Sequence, residues 1–263
     1  MKNNFWLDLT FESYETLGKH SGDRYEFVYP NYTLNKSFDF NKSFVENLEF
    51  TSSGNQKTHS TDIHEAVQIN DFLVNSPLYI SNSGFENEIQ TLIKNVNSKG
   101  TNSSKYKDKT QSEILSMLVY NMSYPMQRFN KKYLESLTPK FSIRYSPNDT
   151  KNVKDNVRYL NESNIFTLNR MGDTESIEAG STLTLGVDYE KYNSDNNDKI
   201  LGFNIASVFR DEKNDNLSTT STLGQKQSDI VGGIYYSPIN PLSLNYNFSL
   251  NNNLDTNNLH DLD

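Results

Sequence analysis

Cysteine is absent from the 263 residues, which excludes disulfides and thiolate metal sites but identifies no compartment. Hydrophobic residues are scarce at 34%, too few even with 12 Gly added to fill a soluble core of ordinary thickness. No apolar run approaches the roughly 18 residues of a transmembrane helix. Positive charge is in deficit: the net charge is −8 and the pI about 5.1, so the basic footprint that nucleic-acid binding requires is missing and nucleic acid is excluded as a partner. The opening "MKNNFWLDLTF" has neither an apolar h-region nor a small-residue cleavage site, and no export signal is read in the chain as given.

Aromatic residues, in contrast, are plentiful. A mean hydropathy of −0.74 would suit a disordered chain, yet 16 Tyr and 15 Phe sit in alternating runs, which disordered chains lack. In "PLSLNYNFSLN" (residues 241–251), Leu242, Leu244, Tyr246, Phe248 and Leu250 share one face, while Ser243, Asn245, Asn247 and Ser249 share the other. "STLTLGVDY" sets Leu183, Leu185, Val187 and Tyr189 against Thr182, Thr184, Gly186 and Asp188. Near the start, Phe5, Leu7, Leu9 and Phe11 oppose Trp6, Asp8, Thr10 and Glu12. "DRYEFVYPNYTL" adds Tyr25, Phe27 and Tyr29, and its Pro30 predicts an edge, bulge or rim position.

Weaker alternations lie in "SFVENLEFTSS", "THSTDIHEAVQI" and "FENEIQTLIKNV", and residues 97–111 read as a long loop. "SEILSMLVYNMSYPMQRF" offers a helical stripe of Ile114, Leu115, Leu118 and Met122, but Pro125 and the neighbouring aromatics favour a strand. In the second half, "LTPKFSIRYSP", "ILGFNIASVFRD" and "SDIVGGIYYSP" are further strands, with loops at 192–199 and 212–227 and a turn at 237–241. The composition marks no boundary, so one all-β domain is expected.

Strands of about ten residues joined by alternately short and long polar connections carry the signature of an antiparallel transmembrane β-barrel. In hydrocarbon every backbone donor and acceptor must be paired within the protein, so a spanning sheet closes with an apolar outside and a wet inside. A soluble antiparallel sandwich alternates in the same way. The two cleanest apolar faces carry no charge, as lipid contact requires, since Arg or Lys there costs about 2 to 4 kcal/mol at the midplane.

Catalytic signals are thin. His59, His64 and Glu65 in "HSTDIHEA" fail the HExxH spacing, and His20 and His260 are isolated, so solvated polar residues are read there. "NSDNNDK" lacks the turn Gly and closing Glu of a calcium loop. Asp173, Glu175 and Glu178 in "MGDTESIEAG" could bind a cation or form an acid/base pair, but without a partnered His they read as polar lumen or rim residues. Asn-x-Ser/Thr triplets at Asn31, Asn35, Asn41, Asn148, Asn161, Asn216 and Asn247 are what an Asn- and Ser-rich chain produces by chance. No enzyme, cofactor or metal site is read.

The second half resembles the LptD family of outer-membrane lipopolysaccharide-assembly proteins, also called organic solvent tolerance proteins. The resemblance rests on Asn169, Arg170, Gly172, Asp173, Ile177, Glu178, Gly180 and Gly186, then Phe209 and Arg210, then Leu223, Ser228, Asp229, Ile230, Val231 and Gly232. Upstream, Pro125, Met126, Arg128, Leu137 and Pro139 match in the same order, so the resemblance covers about residues 120–251.

It implies a barrel of roughly two dozen strands in the cell outer membrane of a Gram-negative bacterium. It also implies a plug lipoprotein of the LptE type, a periplasmic bridge protein engaged through a preceding jelly-roll domain, and release of lipopolysaccharide into the outer leaflet. No cofactor is implied. Here 263 residues supply around a dozen strands, no jelly-roll precedes Phe5, the family's Cys are absent, and the end "NNLHDLD" lacks a terminal aromatic. Residues 1–263 are therefore expected to be a partial, open section of the barrel domain, with the lateral gate mostly outside it. A general porin or nutrient channel, or a soluble β-structural surface or binding protein, are the alternative readings.

Overall fold

A computed structural model describes residues 4–17, 24–40, 44–239, 241–253 and 257–262. His20, Asn41 and the middle of the 237–241 turn lie outside the described residues, as does the side chain of His260.

The alternating segments form β1 (Asn4–Glu15), β2 (Tyr25–Asp39), β3 (Asn47–His59), β4 (His64–Asn75), β5 (Tyr79–Ile80), β6 (Glu86–Thr101) and β7 (Gln111–Ser123). They continue as β8 (Met126–Phe129), β9 (Tyr133–Ser146), β10 (Gly180–Asn193), β11 (Lys199–Arg210), β12 (Ile230–Ile239), β13 (Leu242–Leu250) and β14 (Asn257–Leu262). The fold is all-β and antiparallel; the described helical content is one 3-10 turn at Thr222–Gly224. Twelve strands follow one path of sheet neighbours, with the short β5 on β6 and β8 on β9. This agrees with the expected dozen.

The chain divides into two compact units, one of residues 1–77 and 90–116 and the other of 78–89 and 117–263. In the first, β1 to β4 and β6 pair in chain order. Register slips occur between Thr10 and Glu12 and between Val28 and Asn31, which puts Pro30 at a bulge, where its missing N–H costs no ladder bond. The β4–β6 ladder runs unbroken from Asn75↔Gln90 to His64↔Thr101. The loop expected from residue 97 therefore starts five residues later. Ser98, Lys99 and Gly100 have little strand propensity, but pairing with β4 holds them extended.

In the second unit, β9 and β10 pair without interruption from Gly180↔Ser146 to Asn193↔Tyr133. β7 is a strand, as the aromatics near Pro125 suggested; it ends at Ser123, and Pro125 separates it from β8. The register gives the faces of the sheet. One face holds Ile143, Leu183 and Phe209 in one row and Leu137, Tyr189, Phe203, Ile234 and Tyr246 in another. The other face holds Arg144, Thr182 and Arg210 in one row and Ser142, Thr184 and Val208 in the next. Burial is inverted relative to a soluble protein: Thr184 is fully buried and Leu185 beside it is 45% exposed.

Candidate functional site

The buried polar face of the second unit is covered by two connections, residues 147–179 between β9 and β10 and residues 211–229 between β11 and β12. Val153, Leu160, Ile165, Met171, Leu217 and Leu223 from the connections form one apolar cluster with Ala206, Val208 and Val231 from the sheet. Phe166 packs against it, lying where a Cβ on Gly186 would come within 2.9 Å of its ring. Gly186 thus lets a loop side chain reach the sheet backbone.

Folding two loops onto a sheet buries backbone groups that must be paired. The connections meet this by bonding to each other: Val153 N–H donates to Asn216 O at 2.8 Å, Thr219 N–H to Lys154 O at 3.1 Å, and Arg158 N–H to Thr220 Oγ1 at 2.8 Å. Thr150 Oγ1 accepts from Ala179 N–H and from Asn214 Nδ2, both at 2.9 Å.

The centre of the assembly is Glu178. Arg170 donates to it through two parallel bonds of 2.7 Å, from Nε and Nη2, and spends its remaining donors on Thr182 Oγ1 at 2.9 Å, Thr184 Oγ1 at 2.7 Å and Ile165 O at 3.2 Å. Arg210 from the end of β11 donates to Glu178 Oε1, the oxygen that also accepts from Arg170 Nη2, to Ala179 O at 2.6 Å and to Leu223 O at 3.2 Å. Arg144 on β9 binds Leu168 O and Phe166 O at 3.0 and 3.1 Å. Arg170 is 1% exposed. Burial by itself pushes the Glu178 carboxyl up, but the charge and hydrogen bonds of Arg170, then the charges of Arg210 and Arg144, outweigh it and bring the pKa down to about 2.

Gly180 opens β10 at φ +85°, a left-handed conformation that turns the loop into the strand beside the Arg210 guanidinium. On the far side Ser228 Oγ accepts from Val208 N–H at 2.9 Å and donates to Asp229 O at 2.8 Å, stitching the second connection to β11. Asp229 Oδ2 accepts from Ser249 Oγ on β13 at 3.2 Å.

The acidic trio of the sequence does not converge. Glu178 is enclosed by arginines rather than lining a wet surface, because the loops fold over the inner face. Asp173 instead accepts from Glu175 N–H at 2.8 Å within its own turn. Among the described residues no cluster of His, Asp and Glu could hold a metal ion. His64 Nδ1 contacts Thr58 Oγ1 at 3.2 Å, and Glu65, on the opposite face of β4, accepts from Ser103 Oγ at 2.5 Å. "NSDNNDK" makes the β10–β11 turn, with Asp195 N–H bonded to Asn193 Oδ1. Asn31, Asn35 and Asn247 lie within strands.

Arg144 was the residue that motif reading missed. Its sole trace in the sequence is a charge at an alternating position of "KFSIRYSP", on the face of Ser142 rather than of Phe141, Ile143 and Tyr145. The upstream motif lies elsewhere, in the β8–β9 hairpin, where Met126 pairs with Leu137 and Arg128 Nε lies 3.5 Å from Glu135.

Arg170, Glu178, Gly180, Gly186, Arg210, Leu223, Ser228, Asp229 and Val231 come from three separated stretches of the resemblance to the LptD family, and they converge on this one assembly. No curated protein matches the chain. The family profile, however, reaches well beyond the stretch that carried recognisable motifs and takes in the first 110 residues. Matching residues 2–262 to LptD, the LPS transport system D family, it establishes that the chain belongs to that family.

Proposed function

We propose that the chain forms part of the wall of an outer-membrane β-barrel that delivers lipopolysaccharide into the outer leaflet. Its family is one of outer-membrane transport and assembly proteins, not of enzymes. The observation that carries the reading is the inverted burial of the second unit. Leu185, Ile234, Tyr236 and Leu244 are exposed on one face, while Ser142, Arg144, Thr182 and Thr184 are buried on the other. A soluble sandwich would cover that apolar face with a second sheet, and among the described residues of this unit none does so. A solute channel would leave the polar face open, whereas two tied-down connections cover it.

The plug lipoprotein of the LptE type and the periplasmic bridge protein are the partners this reading assigns, alongside lipopolysaccharide and outer-membrane lipid. Depletion of the protein in its host tests it: lipopolysaccharide should accumulate behind the outer membrane, and the protein should fractionate with that membrane as a heat-modifiable band. Normal surface lipopolysaccharide after depletion would refute the proposal.

A further inference from the structure

The outward face of the first unit carries a polar surface that a lipid-facing wall should not have. Its rows of cross-strand partners begin with Phe5–Lys36–Phe50–Phe72–Ile93. Lys36 is the one charge in this row, and its ammonium lies 5.0 Å from the Phe38 ring centre, drawn along the strand toward the 40–46 connection.

One step the other way the row is Leu7–Leu34–Ser52–Asn70–Asn95, and the next is Leu9–Tyr32–Gly54–Gln68–Asn97. On β1 and β2 the apolar side chains continue. On β3, β4 and β6 they stop at Phe50, Phe72 and Ile93, and from there to Thr58, His64 and Thr101 the outward positions hold no hydrophobe larger than Ala66. That is about 20 Å of strand.

The first polar row is built. Tyr32 OH lies 3.3 Å from Ser52 Oγ, which donates to Asn70 Oδ1 at 2.7 Å. Asn70 Nδ2 donates to Asn95 Oδ1 at 3.2 Å, and Asn95 Nδ2 to Ser112 Oγ at 3.2 Å. A chain of amides and hydroxyls across five strands is costly in hydrocarbon, where each remaining donor or acceptor goes unpaired. It suits a hydrated layer. A layer of phospholipid phosphates would call for clustered Lys and Arg, yet Lys99 is the single permanent charge on these polar positions. Neutral amides and hydroxyls match sugar hydroxyls.

We infer that this surface contacts the saccharide layer of the outer-leaflet glycolipid, that the hydrocarbon edge lies between the Phe72 and Asn70 rows, and that connections 60–63 and 102–110 face the cell exterior. The inference rests on the outer-membrane reading above.

Residues 1–263 hold no native Cys, so each introduced Cys is the single labelling site within this stretch. Labels go at Phe72→Cys, Ile93→Cys, Asn70→Cys and Asn95→Cys in the full protein, in outer-membrane vesicles and in phospholipid-only vesicles. Gln68→Cys and Asn97→Cys report the next row should breaking the ladder prevent assembly. Labels at 72 and 93 should favour oxygen over a water-soluble nickel complex in both membranes. Those at 70, 95, 68 and 97 should favour nickel in phospholipid and lose nickel access several-fold when glycolipid is present. An impermeant maleimide should modify Asp108→Cys, in the exposed 102–110 connection, on intact cells.

Matching lipid depth at 70 and 72, indifference to glycolipid, or no surface labelling each overturns the inference while leaving the barrel intact. Water access at 72 and 93 overturns the membrane reading itself.

Discussion

Neutralising Glu178 tests whether the ion cluster holds the two connections in place. Glu178→Gln keeps the shape but removes the one negative charge on which Arg170 and Arg210 converge, leaving their guanidinium groups facing each other and Arg144 in a buried space. Breaking a buried pair from one side costs about 3–5 kcal/mol. The depressed carboxyl supplies an independent figure: a pKa of about 2 against an ordinary 4.5 corresponds to about 3 kcal/mol of stabilisation at neutral pH.

Because the pKa is lowered in the folded state, that stabilisation is fully present above about pH 4.5 and is lost as the pH falls toward about 2. In the wild type, limited proteolysis should leave residues 147–179 and 211–229 uncut at neutral pH, and an acid-active protease should cut them progressively more as the pH drops through that window. In Glu178→Gln both connections should be cut at neutral pH at a rate nearly independent of pH, while the strands stay protected. A triple replacement of Arg170 and Arg210 by Met and Glu178 by Leu should restore part of the protection, since no buried pair is then left half-made. A Glu178→Gln protein with wild-type protection across the window would refute the claim that this carboxylate anchors the loops.

Three further outcomes follow from the same geometry. Leu244→Arg, on the exposed apolar face of β13, should weaken folding into membranes by about 2–4 kcal/mol, whereas Asn245→Arg should be tolerated; urea midpoints in vesicles compare the two. Gly186→Val should cost about 1–3 kcal/mol, because its side chain enters the space of the Phe166 ring, and Phe166→Ala should recover part of the loss in a double-mutant cycle. Ser228→Ala leaves the buried Val208 N–H without its acceptor and should cost about 1–3 kcal/mol, read as faster hydrogen exchange at β11 and residues 226–229.

Much of the wall was legible because strand periodicity is local. Leu183 and Thr184 announce their opposite faces from adjacent positions, and the same alternation identifies β1, β11 and β13 without any knowledge of their neighbours. Pro30 marked an edge, bulge or rim position because a missing N–H constrains its own site, and the register slip beside it makes it a bulge. The 97–101 segment was misread for the converse reason: its residues have little preference of their own, and the β4 partner that keeps them extended lies some thirty positions earlier.

The loop assembly lay beyond reach in a different way. Family resemblance singled out Arg170 and Glu178 in one motif and Arg210 in another, and Glu178 read as a polar lumen or rim residue. Hydrophobic alternation determined that the chain makes antiparallel strands and which side chains share each face. The tertiary structure alone decided that Arg170 and Arg210 meet at Glu178, with Arg144 held nearby on loop carbonyls, because the Glu178–Arg210 contact spans 32 residues and forms only when the first connection brings Glu178 against the end of β11. Nothing periodic in a sequence records the closure of such a loop; it follows from the cost of leaving a buried charge unpaired.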